Sequence, residues 1–212
     1  GDHHSTDYDK LRDLPRPGHA DFSAYTKFNG VHDIRGGGQF SGRLTAPLCF
    51  AGALALQLLE QKGIRVSAHI AAIAGVYDKP FNPISPEITE LRDDRFTVLD
   101  ANKGSEMKQK ISEAAKAGDS VGGIIECCAI GLPPGLGDPM FDGIENRIAQ
   151  MLFAIPAVRG VEFGAGFAAS AMTGSAHNDP FVIDNNTVKT STNHHGGVLG
   201  GIIAEAGAAW VS

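Results

Sequence analysis

The chain has 212 residues, a formal net charge of −6, and 42% hydrophobic and 20% charged residues. That apolar share can build a core, while the acidic balance and 7% aromatic content argue against a nucleic-acid surface and its stacking platforms. The odd cysteine set, Cys49, Cys127 and Cys128, sits in apolar runs, as reduced core thiols of a cytosolic protein do, and not as a disulfide framework.

No charged-then-apolar leader opens the sequence, and no apolar run approaches the roughly 18–20 residues of a membrane span. The expectation is a soluble, cytoplasmic protein with no membrane partner. Gly1-Asp2-His3-His4 opens on a polar stretch without Met, which fits a processed or truncated chain.

In chain order, residues 1–34 are polar and turn-rich. Leu44 to Gln61 reads as an apolar helix buried on most sides, stopped by Lys62-Gly63, with Pro47 tolerated near a start at Thr45. Ile64 to Val76 alternates Ile64, Val66, Ala68, Ile70 and Ala72, a strand pattern. Asp78 to Lys103, rich in prolines and charges, reads as a long surface connection. Ser105 to Ala117 is a helix with Met107, Ile111, Ala114 and Ala115 on one face; Ser120 to Ile130 is a strand. Residues 131–139 form a rigid Gly/Pro turn region, then Ile144, Ile148, Leu152 and Ile155 mark a helix and Val158, Val161 and Phe163 a strand. The tail from Gly174 to Gly201 is rich in glycine and asparagine. Nothing of low complexity separates the halves and no repeat is evident, so one domain over 1–212 is expected.

Chemistry concentrates in two early segments. Arg16-Pro17-Gly18-His19-Ala20-Asp21 sets a histidine between a restricted Pro-Gly pair and a carboxylate. Arg35-Gly36-Gly37-Gly38-Gln39-Phe40-Ser41-Gly42-Arg43 runs three glycines into a capping serine with an arginine at either end. Bare amides and guanidiniums suit a planar, phosphate-bearing anion, and His19 can give or take a proton near neutral pH. Arg16, Arg35 and Arg43 are accordingly the candidate substrate-binding cations. Taken singly, each also reads as a surface charge, and His19 as an ordinary surface or core histidine.

The glycine run lacks G-x-G-x-x-G spacing after a strand and a G-x-x-x-x-G-K-[ST] motif, which disfavours a Rossmann or P-loop site. His3-His4 and His194-His195 invite a metal reading, and with it a metal-dependent hydrolase. Adjacent histidines on an extended chain point to opposite faces, however, and no zinc-finger spacing accompanies them, so no metal is expected. Cys49 has no positive neighbour to make it a catalytic thiolate. Asp179 and Glu162 are candidate buried acids.

The two early segments, with Tyr25, Lys27 and Asp33, resemble chorismate synthase. Gly118-Asp119-Ser120-Val121-Gly122-Gly123, Gly135-Leu136-Gly137-Asp138-Pro139, Pro156-Ala157-Val158-Arg159-Gly160-Val161-Glu162-Phe163-Gly164 and the stretch from Asn193 to Ile202 look like later family segments in the right order. The resemblance implies an α+β fold, with a layer of helices between antiparallel β-sheets, here incomplete. It implies a lyase of aromatic amino acid biosynthesis that converts 5-enolpyruvylshikimate 3-phosphate to chorismate and phosphate by anti-1,4-elimination. Reduced FMN is required, NADPH is a reductant where the protein is bifunctional, and the family assembles as a homotetramer. His19 matches the histidine that supplies a proton to the reduced flavin. Gln39, Phe40, Ser41, Pro156, Ala157 and Gly200 match flavin-contacting positions.

Departures accompany the matches. The resemblance places a Gly-Glu-Ser-His-Gly-type segment with a second catalytic histidine ahead of Gly1, and a Lys-Pro-Thr-type flavin-phosphate segment and an acidic catalytic residue after Gly201. None of these lies in the 212 residues, and Gln39 stands where many relatives carry arginine. The expectation is a core fragment with little turnover alone; the alternative is a non-catalytic flavin/phosphate-binding or assembly module of the same fold.

Overall fold

The computed structural model describes Tyr8 and residues 14–84, 96–204 and 209–211. The fold is α+β, and among the described residues every strand pairing is antiparallel. Backbone contacts divide the chain into two units, 1–54 with 154–158 and 55–153 with 159–212.

In the first unit, helix α1 (Asp21–Lys27) opens with an acidic residue and closes on a basic one, both favourable to the helix dipole. Asn29 and Gly30 then adopt φ of +50° and +74°, and the Gly30 N–H bonds back to the Tyr25 carbonyl, a left-handed stop. This helix lies inside the stretch read as polar and turn-rich; its single buried residue, Ala24, leaves too narrow an apolar stripe to register as a period. The glycine segment folds into a 3-10 turn, Arg35–Phe40, followed by a second at Gly42–Leu44 whose entry is capped by the Ser41 hydroxyl.

Helix α2 (Thr45–Gln61) forms where expected but is not buried: none of its residues is enclosed, and Phe50 is 71% and Leu58 62% exposed. The unit boundary falls within it, after Leu54. With the preceding 3-10 turn it makes a 20-residue run, Gly42–Gln61, whose 18-residue window reaches a mean hydropathy of 1.3. Among the described residues that one helix is long and apolar enough to cross a bilayer by length and composition, which corrects the expectation that no run approaches that length. Cys49 lies exposed on it and is not a core thiol.

The second unit is built on a four-stranded sheet of order β2-β1-β3-β8, with β1 at Arg65–Ile73, β2 at Val76–Tyr77, β3 at Gly123–Ile130 and β8 at Ala209–Val211. On β1, Ser67, His69 and Ala72 are buried; the shift from odd to even follows a register break between Ile70 and Ala72. Helix α3 (Ala101–Lys116) begins with the Asp100 carboxylate accepting from the Asn102 N–H, and buries Gly104 and Met107. A Cβ on Gly104 would meet Val98 at 2.7 Å, so close packing selects glycine there. Asp78 and Phe81 are buried, so the connection is not simply surface; Phe81 joins Cys128, Leu99 and Ile130 in a core cluster.

Helix α4 covers Ile144–Phe153, and a short α5 covers Gly174–His177. Hairpins β4–β5 (Phe181–Asp184, Thr187–Thr190) and β6–β7 (Val198–Leu199, Ile202–Ile203) complete the unit. Val198 and Ile203 pack with Leu132 and Ile144 in a second cluster. The strand expected through Val158, Val161 and Phe163 is not formed. Gly164 instead runs so close to His194 and Gly196 that a Cβ would strike the His194 carbonyl oxygen, and the Ala165 N–H bonds to that carbonyl at 2.7 Å. Backbone pressed on backbone replaces a side-chain ladder.

Candidate functional site

In the first unit the His19 ring lies against the glycine turn. A Cβ on Gly37 would meet His19 Cε1 and Nε2 at 3.5 Å and Ser41 Cβ at 3.7 Å, and Gly37 has φ +83°. His19 Nδ1 lies 2.9 Å from Asp21 Oδ1, but its hydrogen bond is to a terminal nitrogen of Arg16, a group that can only donate. Nδ1 therefore accepts, and the neutral ring carries its proton on Nε2, on the glycine side. Arg16 forks onto the same carboxylate through Nε at 2.8 Å and a terminal nitrogen at 2.9 Å, with the latter 3.3 Å from His19 Nδ1. Hydrogen bonding from Arg16 holds the Asp21 carboxyl well below the usual carboxylate range.

The other two candidate arginines are engaged locally. Arg35 forks onto Asp33 at 2.8 and 2.7 Å in an exposed pair, and its side-chain bonds are the main cause of the Asp33 carboxyl falling to about 2. Arg43 Nε donates to the Ser41 hydroxyl at 3.1 Å. Arg16 and Arg35 are thus each matched by a carboxylate, a weaker local positive field than three bare guanidiniums.

A cleft of about 200 Å³ is lined by Phe28, Val31, His32, Asp33, Gly38, Gln39 and Phe40. Gln39 and Phe40 reach it; His19 and Ser41 are not among its lining residues. His32 Nδ1 is buried without a hydrogen-bond partner. The volume is below the few hundred Å³ of a site enclosing a drug-sized ligand, so the cleft accommodates an edge of a planar ring system and not a whole cofactor. Pro156 and Ala157 occupy a turn closed by the Val158 N–H to the Ile155 carbonyl at 3.3 Å, with Ala157 at φ +73°.

Gly200 belongs to the second unit, where Gly200 and Gly201 (φ +62° and +83°) are the two central residues of the β6–β7 hairpin. In the same unit Asp179 gathers a cluster that sequence reasoning flagged only as a buried acid. Its carboxylate accepts from the Thr192 hydroxyl (2.7 Å), the His194 and His195 N–H groups (2.8 and 2.9 Å) and His195 Nδ1 (2.9 Å). Burial alone would raise its pKa; the donors from His195, His194 and Thr192 outweigh that and hold it at about 2. His194 Nδ1 lies 3.1 Å from the other oxygen but off hydrogen-bond direction, and the His177 ring packs at 4.4 Å from that of His195.

The paired histidines therefore converge on one carboxylate and do not point to opposite faces. The segment is a turn, closed by the Gly196 N–H to the Asn193 carbonyl, and not an extended strand. Among the described residues no group of three or more His, Cys, Asp or Glu has metal-holding geometry. His3-His4 lies outside the described residues.

The whole pattern has counterparts. The sequence matches the family model described as "Chorismate synthase" over residues 1–207. It is 46% identical over 199 residues to "Chorismate synthase" of Dehalococcoides mccartyi, covering 93% of this chain and 54% of that protein. With the protein of the same name from Thermococcus gammatolerans it shares 49% identity over 198 residues, again covering 93% and 54%. A solved structure titled "Crystal Structure of Chorismate Synthase" superposes with a TM-score of 0.80 at 29% identity, covering 91% of this chain and 61% of that one. The chain thus spans about half the length of the curated relatives it matches. With that match running through His19, the glycine turn and the Asp179 loop alike, the chain belongs to the chorismate synthase family.

Proposed function

We propose that this chain carries the flavin-facing part of a chorismate synthase, a lyase that eliminates phosphate from 5-enolpyruvylshikimate 3-phosphate to give chorismate. The observation that carries the reading is His19: its Nδ1 is held by Arg16 beside Asp21 and its Nε2 is turned to the glycine side, in a chain of this family. A histidine so held keeps one ring nitrogen fixed and offers the other for proton transfer. Reduced FMN, when bound, supplies the electron-rich ring beside the breaking C–H bond. Gln39 and Phe40 at the cleft and Ser41 beside His19 are the residues to meet an edge of that ring; Pro156, Ala157 and Gly200 are further flavin contacts by family position. Arg16, Arg35 and Arg43 place positive charge for phosphate, with Asp21 and Asp33 tempering the first two. The active assembly is a homotetramer, with NADPH as reductant where the protein is bifunctional.

Anaerobic titration with reduced FMN tests this. Binding is expected for the chain as it stands, weakened by Phe40→Ala. His19→Ala is expected to retain flavin and to lose proton transfer, about 10²–10⁴-fold in rate. No flavin binding by the unmodified chain would overturn the reading. The alternative is a non-catalytic flavin/phosphate-binding or assembly module of the same fold; flavin binding without phosphate release from the substrate would select it.

A further inference from the structure

The proposed chemistry makes no use of a cluster enclosed in the second unit. His69 on β1 stands directly opposite Glu126 on β3. The His69 and Asp78 side chains are fully buried, and Glu126 is 13% exposed. His69 Nδ1 lies 3.2 Å from Asp78 Oδ2, and Nε2 lies 2.5 Å from Glu126 Oε2. The carboxylates also collect backbone donors. Asp78 accepts from the Leu99 N–H at 2.5 Å and the Asp100 N–H at 2.9 Å, and Glu126 accepts from the Phe81 N–H at 3.0 Å. The Phe81 ring closes edge-on over His69 at 4.6 Å.

An ionised carboxylate only accepts, so each of the two nitrogen–oxygen lines needs its own proton. An imidazolium between two carboxylates and a neutral imidazole beside one carboxylic acid are the same charge state, and in both the cluster holds two protons. Removing one sets a nitrogen lone pair against a carboxylate oxygen in a site shielded from water, where that repulsion is strong. Among the described residues, the neighbouring charges do not relieve it. Lys79 reaches out to Asp100 at 3.3 Å, Asp100 caps α3 through the Asn102 N–H, and Cys127, next to Glu126 on β3, has its thiol pushed up by burial and by the Glu126 charge.

We propose that His69, Asp78 and Glu126 form a two-proton latch that holds both ends of the connection between β2 and α3 on the β1–β3 sheet, and that alkaline loss of one proton releases those ends. One end is Asp78 to Phe81; the other is Leu99 and Asp100. The latch is independent of the flavin reading.

Amide hydrogen exchange followed by NMR, from about pH 6 to about pH 9, tests it. Protection at Phe81, Leu99 and Asp100 is expected to fall together by about tenfold or more beyond the ordinary base-catalysed rise, while the β1–β3 ladder holds. Glu126→Gln keeps an acceptor for Phe81 and His69 but removes a titrating group, so it is expected to keep the protection and lose the pH response. Ring-nitrogen and carboxyl-carbon shifts of His69, Asp78 and Glu126 in the unmodified chain count the protons, so the result does not depend on the variant folding. Two protons near pH 6 support the latch. One proton there, a flat pH response, or an unchanged response in Glu126→Gln overturns it.

Discussion

Asp21 holds Arg16 through a guanidinium Nε at 2.8 Å, and the same carboxylate lies 2.9 Å from the His19 ring nitrogen that Arg16 bonds. Asp21→Asn should free the ring to turn and leave Arg16 without its fork, at a stability cost of about 1 kcal/mol because solvent reaches the pair. The His19 ring shifts in NMR should move in this variant while the β1–β3 amides stay put; unchanged ring shifts would show that Asp21 does not set its orientation.

Acid sensitivity should trace to Asp179. Its carboxyl is held at about 2 in the fold against an ordinary value near 3.9, so its stabilisation is complete above the ordinary value and lost as pH falls through about 2. Asp179→Asn should lower stability at neutral pH by about 2 kcal/mol and flatten the acid limb of the denaturation profile. An unaltered limb between about pH 4 and pH 2 would place the acid dependence elsewhere.

Two glycines at positive φ should respond very differently to alanine. At Gly200 a Cβ meets open space, so the cost is the left-handed conformation alone, about 1–2 kcal/mol. At Gly164 a Cβ would strike the His194 carbonyl oxygen, so Gly164→Ala should lose more than about 4 kcal/mol and disturb the Asp179 loop. Equal losses in thermal unfolding would contradict the close approach.

The cysteines should separate by reactivity. Cys49 is exposed, whereas burial pushes the Cys128 thiol up to about 12 and raises Cys127 as well. Brief alkylation at neutral pH followed by mass spectrometry should mark Cys49 and spare the other two, because the thiolate is the reacting form.

Legibility in the sequence followed the reach of the interaction. The α3 face around Met107 was readable because its period comes from local burial. The β1 and β3 strands were readable from their apolar, β-favouring runs, although the face that β1 buries carries Ser67 and His69 and not Val66, Ala68 and Ile70. The partnership of His19 with the glycine turn was readable through residue types, since a bare backbone beside a lone imidazole has few other uses. His69 and Glu126 were not, because their meeting depends on the register of two strands joined by a long connection. Asp179 could be named but its partners could not; a turn at Asn193–Gly196 decides where His194 and His195 point. The α2 helix misled because apolar composition states a preference for burial, not the presence of a neighbour to provide it.

Phe50, Leu54 and Leu58 are exposed along α2 in the single chain. Salts excluded from protein surfaces, such as sulfate, strengthen the tendency of such side chains to leave solvent. Precipitation by sulfate should therefore begin early, and replacing Leu58 with serine should delay it while moving the melting temperature little, since most of the residue is exposed.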